Sequence, residues 1–162
     1  DFASALFQAA KAAGINTALE STGFADFEVI KEKILPWLDL YLMDIKHISS
    51  AKHKLFTGQP NERILANARK IAESGQKLII RVPVIPTFND TPAEILEIAQ
   101  FARSLPVLEQ LHLLPYHRLG QDKYAGLGRE YLMSHIEPPA NEHMEMLREV
   151  AATTGLHVQI GG

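Results

Sequence analysis

The stretch Ile64–Val84, ILANARKIAESGQKLIIRVPV, decides the fold of this chain. Its first part places apolar residues at helical spacing, Gly75 provides a stop, and Lys77–Val84 is rich in strand-forming residues. The strand segment is apolar on both faces, as expected when helices cover a parallel sheet on one side and a core fills the other. The stretch therefore predicts one helix–strand unit of an α/β protein.

The same unit recurs along the chain. Apolar stripes at helical spacing precede four further predicted strands: Ile15–Leu19, Leu38–Ile45, Gln110–Leu114 and His157–Ile160. The helix before Gln110 has a marked start at Thr91–Glu94, where Thr91 caps the helix and Glu94 reaches back to the cap. We predict a single α/β domain, residues 1–162, built as a (β/α) barrel of parallel strands or part of one. A doubly wound open sheet is the alternative, because periodicity does not separate the two.

Composition excludes several classes of function. At 162 residues, 46% hydrophobic and 22% charged, the chain is expected to fold as an ordinary globular domain. A net charge of −3 gives little drive to bind nucleic acid. No apolar run reaches the ~20 residues that span a bilayer and no signal peptide opens the chain, so we expect a cytoplasmic location. The absence of cysteine excludes disulfides, thiolate zinc sites, cysteine nucleophiles and cysteine-ligated iron–sulfur clusters within these residues.

Polar residues follow the predicted strands at the end where a parallel α/β sheet gathers its functional groups. In chain order, the candidates at these strand ends are Glu20, Ser21, Asp44, Lys46, Arg81 and His117. Asp44 and Lys46 are two residues apart and project from one face of an extended strand. They form either an ion pair that closes the strand or a site for the two ends of a zwitterion. Glu20 either joins Asp44 in holding a hard cation through oxygen atoms or is a surface group.

Arg81 and His117 complete the candidate set. Because a buried, unpaired guanidinium is costly, Arg81 either pairs with Glu20 or Asp44 or clamps a ligand carboxylate or phosphate. His117 lies on a loop, where its imidazole can stack on a purine or act as a base. We expect most of the other six histidines, spread through helices and loops, to be solvated. Glycine-rich phosphate loops and the Gly-x-Ser-x-Gly elbow are absent, which disfavours dinucleotide dehydrogenases, P-loop NTPases and α/β-hydrolases.

Several blocks of the sequence occur in the order and spacing of a known family. These blocks are Thr17–Phe24 (TALESTGF), Leu42–Lys46 (LMDIK), His53 with Thr57-Gly58, Ile80–Pro86 (IRVPVIP), Leu113–Gly120 (LLPYHRLG) and Lys123-Tyr124. Together they closely resemble the activating enzymes of glycyl radical enzymes, typified by pyruvate formate-lyase activating enzyme. Members of that family are radical S-adenosylmethionine enzymes on a partial (β/α) barrel. A [4Fe–4S] cluster reduces S-adenosylmethionine, and the resulting 5′-deoxyadenosyl radical abstracts hydrogen from a glycine of the partner enzyme.

The resemblance implies a role for each candidate. Asp44, Ile45 and Lys46 would line the methionyl group of S-adenosylmethionine, His117 would lie at its adenine or ribose end, and Arg81 would be a further ligand contact. Glu20, Ser21 and Asp44 would fall at a monovalent-cation site, although the best-known family member has Asp at the position of Glu20. The implied partners are a glycyl radical enzyme such as pyruvate formate-lyase and an electron donor of flavodoxin or ferredoxin type.

One departure from the family changes what we expect of this chain. The Cys-x-x-x-Cys-x-x-Cys cluster motif and a Gly-Gly-Glu block lie, in the family, upstream of the helix that corresponds to Asp1–Ala13. We therefore expect a carboxyl-terminal portion of an activating enzyme, a barrel truncated at its amino-terminal strands. Such a chain would contain no catalytic residue and no cluster ligand, would be inactive alone, and would self-associate through the uncovered barrel edge.

The same residues are compatible with two other functions. One is a cluster-free (β/α) lyase or aldolase in which Lys46 forms a Schiff base and Asp44 or His117 acts as acid–base. The other is a non-catalytic module that uses the polar groups at the carboxyl ends of the strands only to bind a partner.

Overall fold

Five parallel strands form one sheet in the order β1-β2-β3-β4-β5. The computed structural model describes residues 2–162, with Glu109 described by its backbone alone. The strands are β1 (Ala18–Ser21), β2 (Leu40–Asp44), β3 (Leu78–Val84), β4 (Leu108–Pro115) and β5 (Val158–Ile160). Each strand pairs in parallel with the next one along the chain. This order is that of a partial (β/α) barrel and not the reversed order of a doubly wound sheet, so the fold prediction is confirmed.

Within residues 2–162, seven α-helices lie beside and between the strands. They are α1 (Phe2–Ala12), α2 (Phe27–Lys33), α3 (Ser50–Thr57), α4 (Glu62–Glu73), α5 (Pro92–Arg103), α6 (Gln121–Gly126) and α7 (Asn141–Ala152). Pro36 lies in a 3₁₀ turn, Leu35–Trp37, and α2 ends before this turn. Within residues 2–162, no helix has both the length and the apolar character that crossing a membrane requires.

Alternation along the strands gives the sheet two different faces. Every second side chain of the central strands lies in the apolar core beneath the helices; examples are Tyr41, Met43, Ile80, Val82, Leu111 and Leu113. The intervening side chains face the opposite, concave side, and Asp44, Arg81 and His112 are among them. Burying the first set stabilises the fold. The second set is therefore available for chemistry.

The predicted start of the helix after the third strand is confirmed at α5. Thr91 accepts from the main-chain N–H of Glu94, and the Glu94 carboxylate accepts from the main-chain N–H of Thr91, a complete capping box. Glu94 also binds outside its own helix: it accepts a hydrogen bond from Nε2 of His47 (3.1 Å) and pairs with Lys52. Since Nδ1 of His47 accepts from the N–H of Ser49, Nε2 carries the hydrogen. Glu94 therefore joins the start of α5 to the loop after β2.

One edge of the sheet is open. β1 is the first strand in the sheet order and pairs only with β2 among the described strands. Beside this edge, the apolar side chains of Phe2, Leu6 and Ile15 are 83%, 55% and 58% exposed. An unpaired strand edge next to exposed apolar side chains is a typical surface for association.

We therefore expect concentration-dependent self-association. Sedimentation velocity over a range of protein concentrations should show the mean sedimentation coefficient rising with concentration. A Leu6→Glu variant should sediment as a monomer, because a charge on α1 opposes burial of this surface. Leu132→Glu is the matched control, since Leu132 is 72% exposed and lies far along the chain in the segment after β4. A wild-type chain that stays monomeric at high concentration would contradict the prediction.

Glu94 should make the free energy of unfolding depend on pH in the acidic range. Burial alone would raise the pKa of Glu94, but hydrogen bonds to its carboxylate outweigh burial and lower the pKa to about 2. Because the folded pKa lies below the unfolded value, this stabilisation is complete above the unfolded pKa near 4.5 and is lost as the pH falls towards 2. We expect a loss of about 2–3 kcal/mol in the free energy of unfolding over that window.

Denaturant titrations at a series of pH values measure this loss. The Glu94→Gln variant should lack this part of the acid sensitivity, whereas Glu97→Gln, at an exposed position of the same helix, should keep it. Equal acid sensitivity in the wild type and Glu94→Gln would show that Glu94 does not carry the effect.

Candidate functional site

The concave face of the sheet carries a row of polar residues at one level. Asp44 of β2 is in register with Arg81 of β3, Arg81 with His112 of β4, and His112 with Gln159 of β5. The row therefore crosses four strands, and each of its members comes from a different one. Parallel pairing with alternating side chains brings together groups that are far apart in the sequence.

Arg81 binds two carboxylates in this row. Its Nε and Nη2 both donate to Oδ1 of Asp44 at 3.1 Å, and its Nη1 lies 2.7 Å from Oε1 of Glu20. The Arg81 side chain is only 14% exposed, so these bonds compensate for its burial. Burial alone would lower the pKa of Arg81, but the hydrogen bonds and charges of Glu20 and Asp44 outweigh it and raise the pKa. Arg81 is therefore a fixed cation.

Lys46 pairs with the second carboxylate oxygen of Asp44. Its Nζ lies 3.2 Å from Oδ2 of Asp44, and both side chains are largely buried, at 25% and 19% exposure. The structural pairs considered from the sequence, Arg81 with Glu20 and Asp44, and Lys46 with Asp44, are thus all present. They form one network of two carboxylates and two cations.

Three of the predicted ligand residues share a cavity. Asp44, Arg81 and His117 line a space of about 210 Å³ at the carboxyl ends of β3 and β4. The remaining walls are apolar or aromatic: Pro83, Ile85, Leu114, Pro115 and Tyr116. His117 is exposed, and its Nδ1 accepts from the N–H of Leu119 at 3.3 Å, which leaves Nε2 as the donor of the neutral ring. The cavity therefore combines two charged groups with an imidazole and apolar walls.

Two other predicted residues direct their side chains elsewhere. Ile45 is 1% exposed and belongs to the apolar core, and its main-chain N–H donates to the carbonyl of Arg81. Ser21 is next to Glu20 in the strand and therefore points to the opposite face, where its hydroxyl accepts from the N–H of Gly23. Either residue is available to the concave face only through its main chain. Among residues 2–162, no three His, Asp or Glu side chains converge to form a metal site.

The expectation that most of the remaining histidines are solvated is wrong for three of them. His47, His53 and His112 are 3%, 4% and 6% exposed. His112 contributes directly to the concave face: its Nε2 lies 2.8 Å from Oε1 of Gln110, while its Nδ1 is buried without a partner. Burial and the charge of Arg81 lower the pKa of His112, so the ring is neutral near pH 7. The alternation Leu111-His112-Leu113 is the sequence pattern from which the position of His112 on the concave face could be predicted.

Asn89 holds the loop that carries Lys46. It is completely buried, its Nδ2 donates to the carbonyls of Lys46 (2.7 Å) and Pro83 (2.9 Å), and its Oδ1 accepts from the N–H of Ile85. One side chain thus ties the end of β2 to the end of β3. No sequence motif indicated this role, because all three contacts are to main-chain groups.

Comparison with known proteins relates this geometry to a family. No protein-family model matches the chain. The chain is 34% identical over 166 residues to the (2S)-3-sulfopropanediol dehydratase activating enzyme of Klebsiella oxytoca, covering 99% of this chain and 52% of that protein. It is 44% identical over 137 residues to the isethionate sulfite-lyase activating enzyme of Desulfovibrio desulfuricans, covering 83% of this chain and 43% of that protein.

A solved structure agrees with these sequence matches. The crystal structure of a domain of pyruvate-formate lyase-activating enzyme from Bacteroides vulgatus superimposes with a TM-score of 0.82 at 28% identity, covering 99% of this chain and 90% of that one. The chain spans about half the length of the curated relatives named above. Over nearly its whole length the chain is therefore similar to a part of the activating enzymes of glycyl radical enzymes, and it shares the partial (β/α) barrel of the Bacteroides vulgatus domain.

Proposed function

We propose that this chain is the S-adenosylmethionine-binding portion of an enzyme that activates a glycyl radical enzyme. The observation that carries the proposal is the shared cavity of Asp44, Arg81 and His117. In this proposal Asp44, Lys46 and the main chain of Ile45 bind the methionyl group, and His117 binds the adenine or ribose end. Arg81 holds Asp44 in place and closes the inner end of the cavity.

The charges of the site suit this ligand. Glu20 and Asp44 balance Arg81 and Lys46, so the network favours a zwitterion over a ligand of high net charge. The methionyl group is a zwitterion next to a sulfonium, and its ammonium and carboxylate match Asp44 and Lys46. The flat adenine matches an imidazole among apolar walls. When bound, S-adenosylmethionine supplies the radical that takes hydrogen from glycine.

A [4Fe–4S] cluster does not fit the residues of this chain, which contains no cysteine. In our proposal, cluster ligands and the Gly-Gly-Glu block come from sequence outside these 162 residues, and the chain alone is inactive. The whole enzyme would then act on a glycyl radical enzyme and receive its electron from a flavodoxin- or ferredoxin-type donor. A monovalent cation at Glu20, Ser21 and Asp44 also remains a proposal, and it would have to compete with Arg81 for both carboxylates.

The Asp44–Lys46 pair argues against the Schiff-base alternative. A Schiff-base lysine must present its Nζ to a carbonyl carbon, whereas Nζ of Lys46 is engaged 3.2 Å from Oδ2 of Asp44. We therefore favour the ligand-binding role of this lysine.

Binding of S-adenosylmethionine tests the proposal directly. Isothermal titration of the chain should give saturable binding, and Asp44→Asn should weaken it at least tenfold, since the variant keeps the shape but loses the charge that faces the ammonium. Asp39→Asn is the control: Asp39 is also an ion-paired carboxylate beside β2, but it lies at the opposite end of that strand. Absence of binding, or equal loss in both variants, would overturn the proposed site.

Borohydride treatment separates the two uses of Lys46. With pyruvate as the carbonyl probe, we expect intact-mass spectrometry to show no reduced adduct on the chain. An adduct that disappears in Lys46→Met but persists in Lys52→Met would favour the Schiff-base lyase function.

A further inference from the structure

A second cavity shares only Lys46 with the residues that we propose to bind S-adenosylmethionine. It has a volume of about 210 Å³ and lies between the segment after β1, the middle and end of α3, and the first turn of α4. Phe24 and Ile64 form its apolar walls, while Thr22, Lys46, Thr57 and Gln59 contribute polar groups. It shares no lining residue with the cavity of Asp44, Arg81 and His117.

His53 is the buried polar residue of this second cavity. The side chain is 4% exposed, and its Nδ1 lies 2.7 Å from the carbonyl oxygen of Gln59. Because a carbonyl oxygen only accepts, Nδ1 carries the hydrogen, and the neutral ring keeps its lone pair on Nε2. Nε2 has no hydrogen-bond partner within residues 2–162, and it is not among the side-chain atoms sealed away from solvent without one. It therefore opens onto the cavity that His53 lines.

The walls restrict what the cavity accepts. Lys46 repels a cation, and the lone pair of His53 repels a carboxylate, so a neutral ligand is favoured. The lone pair requires an O–H or N–H donor. Phe24 offers a ring for stacking and is held in place by Arg63, whose Cζ lies 5.3 Å from the ring centroid.

We propose that this cavity binds a para-substituted phenol, with the phenolic hydroxyl donating to Nε2 of His53 and the ring packed between Phe24 and Ile64. The same chemistry is offered by a tyrosine side chain of a protein partner and by a free phenolic molecule. The inference does not depend on S-adenosylmethionine binding, so the two proposals fail separately.

The test is titration of the chain with three probes. p-Cresol supplies the ring and the hydroxyl, toluene supplies the same ring without the hydroxyl, and N-acetyl-tyrosinamide presents the phenol as a side chain. Long-range ¹H–¹⁵N spectra of the histidine rings report on the Nε2 atom of His53. We expect p-cresol to shift this signal and to bind about tenfold more tightly than toluene, because only p-cresol can donate to Nε2 of His53 when the ring fills the cavity.

The third probe identifies the source of the ring. Binding of N-acetyl-tyrosinamide with an affinity near that of p-cresol supports a tyrosine of a partner protein. Binding of p-cresol alone supports a free phenolic molecule.

A matched pair of variants checks the location. Phe24→Ala should weaken p-cresol binding several-fold, and the side chain is 43% exposed, so its removal spares the core. Leu55→Ala removes a side chain that is 79% exposed on α3 and does not line the cavity, and it should bind p-cresol like the wild type. Equal affinity for p-cresol and toluene, an unshifted His53 signal at saturation, or equal effects of the two variants would each overturn the proposal.

Discussion

The burial of Arg81 in the sheet is the constraint on which the concave face depends. A guanidinium that is 14% exposed must keep carboxylate partners, because losing both would leave a buried charge without compensation. The register of β2 with β3 supplies Asp44, and β1 supplies Glu20. The interaction that stabilises three neighbouring strands is therefore also the one that fixes the carboxylate proposed to bind ligand. Stability and site geometry have the same physical cause here.

The loops at the carboxyl ends of the strands are held by buried polar side chains that bind main-chain groups. Asn89 ties the end of β2 to the end of β3, and Asn67 of α4 donates to the carbonyls of Gly23 and Ala25 in the loop after β1. Gly23 has a φ of +67°, which other residues rarely adopt, and a Cβ there would lie 2.6 Å from Cε of Met43, so the end of that side chain would have to shift. A site held in this way needs little ordering when a ligand binds.

The sequence was sufficient for the features that depend on local pattern and insufficient for those that depend on distant partners. The apolar runs of β2 and β3 and the cap at Thr91 follow from periodicity and capping chemistry, and the structure agrees. The sequence pattern did not predict helix α3. Its one buried residue is His53, so the helix has no apolar stripe. The role of Asn89 was equally hidden, since its contacts depend on how two strand ends meet. By contrast, the opposite directions of the Glu20 and Ser21 side chains follow from strand alternation and can be predicted from the sequence.

The charge balance of the concave face limits its possible ligands. An isolated phosphate would need cations to spare, but Arg81 and Lys46 are already paired with carboxylates. A divalent cation would need free carboxylates, and these are equally occupied. A zwitterion can replace one internal pair by two ligand pairs without leaving a buried charge alone. The amino-acid end of S-adenosylmethionine, the ligand we propose for this site, meets this condition.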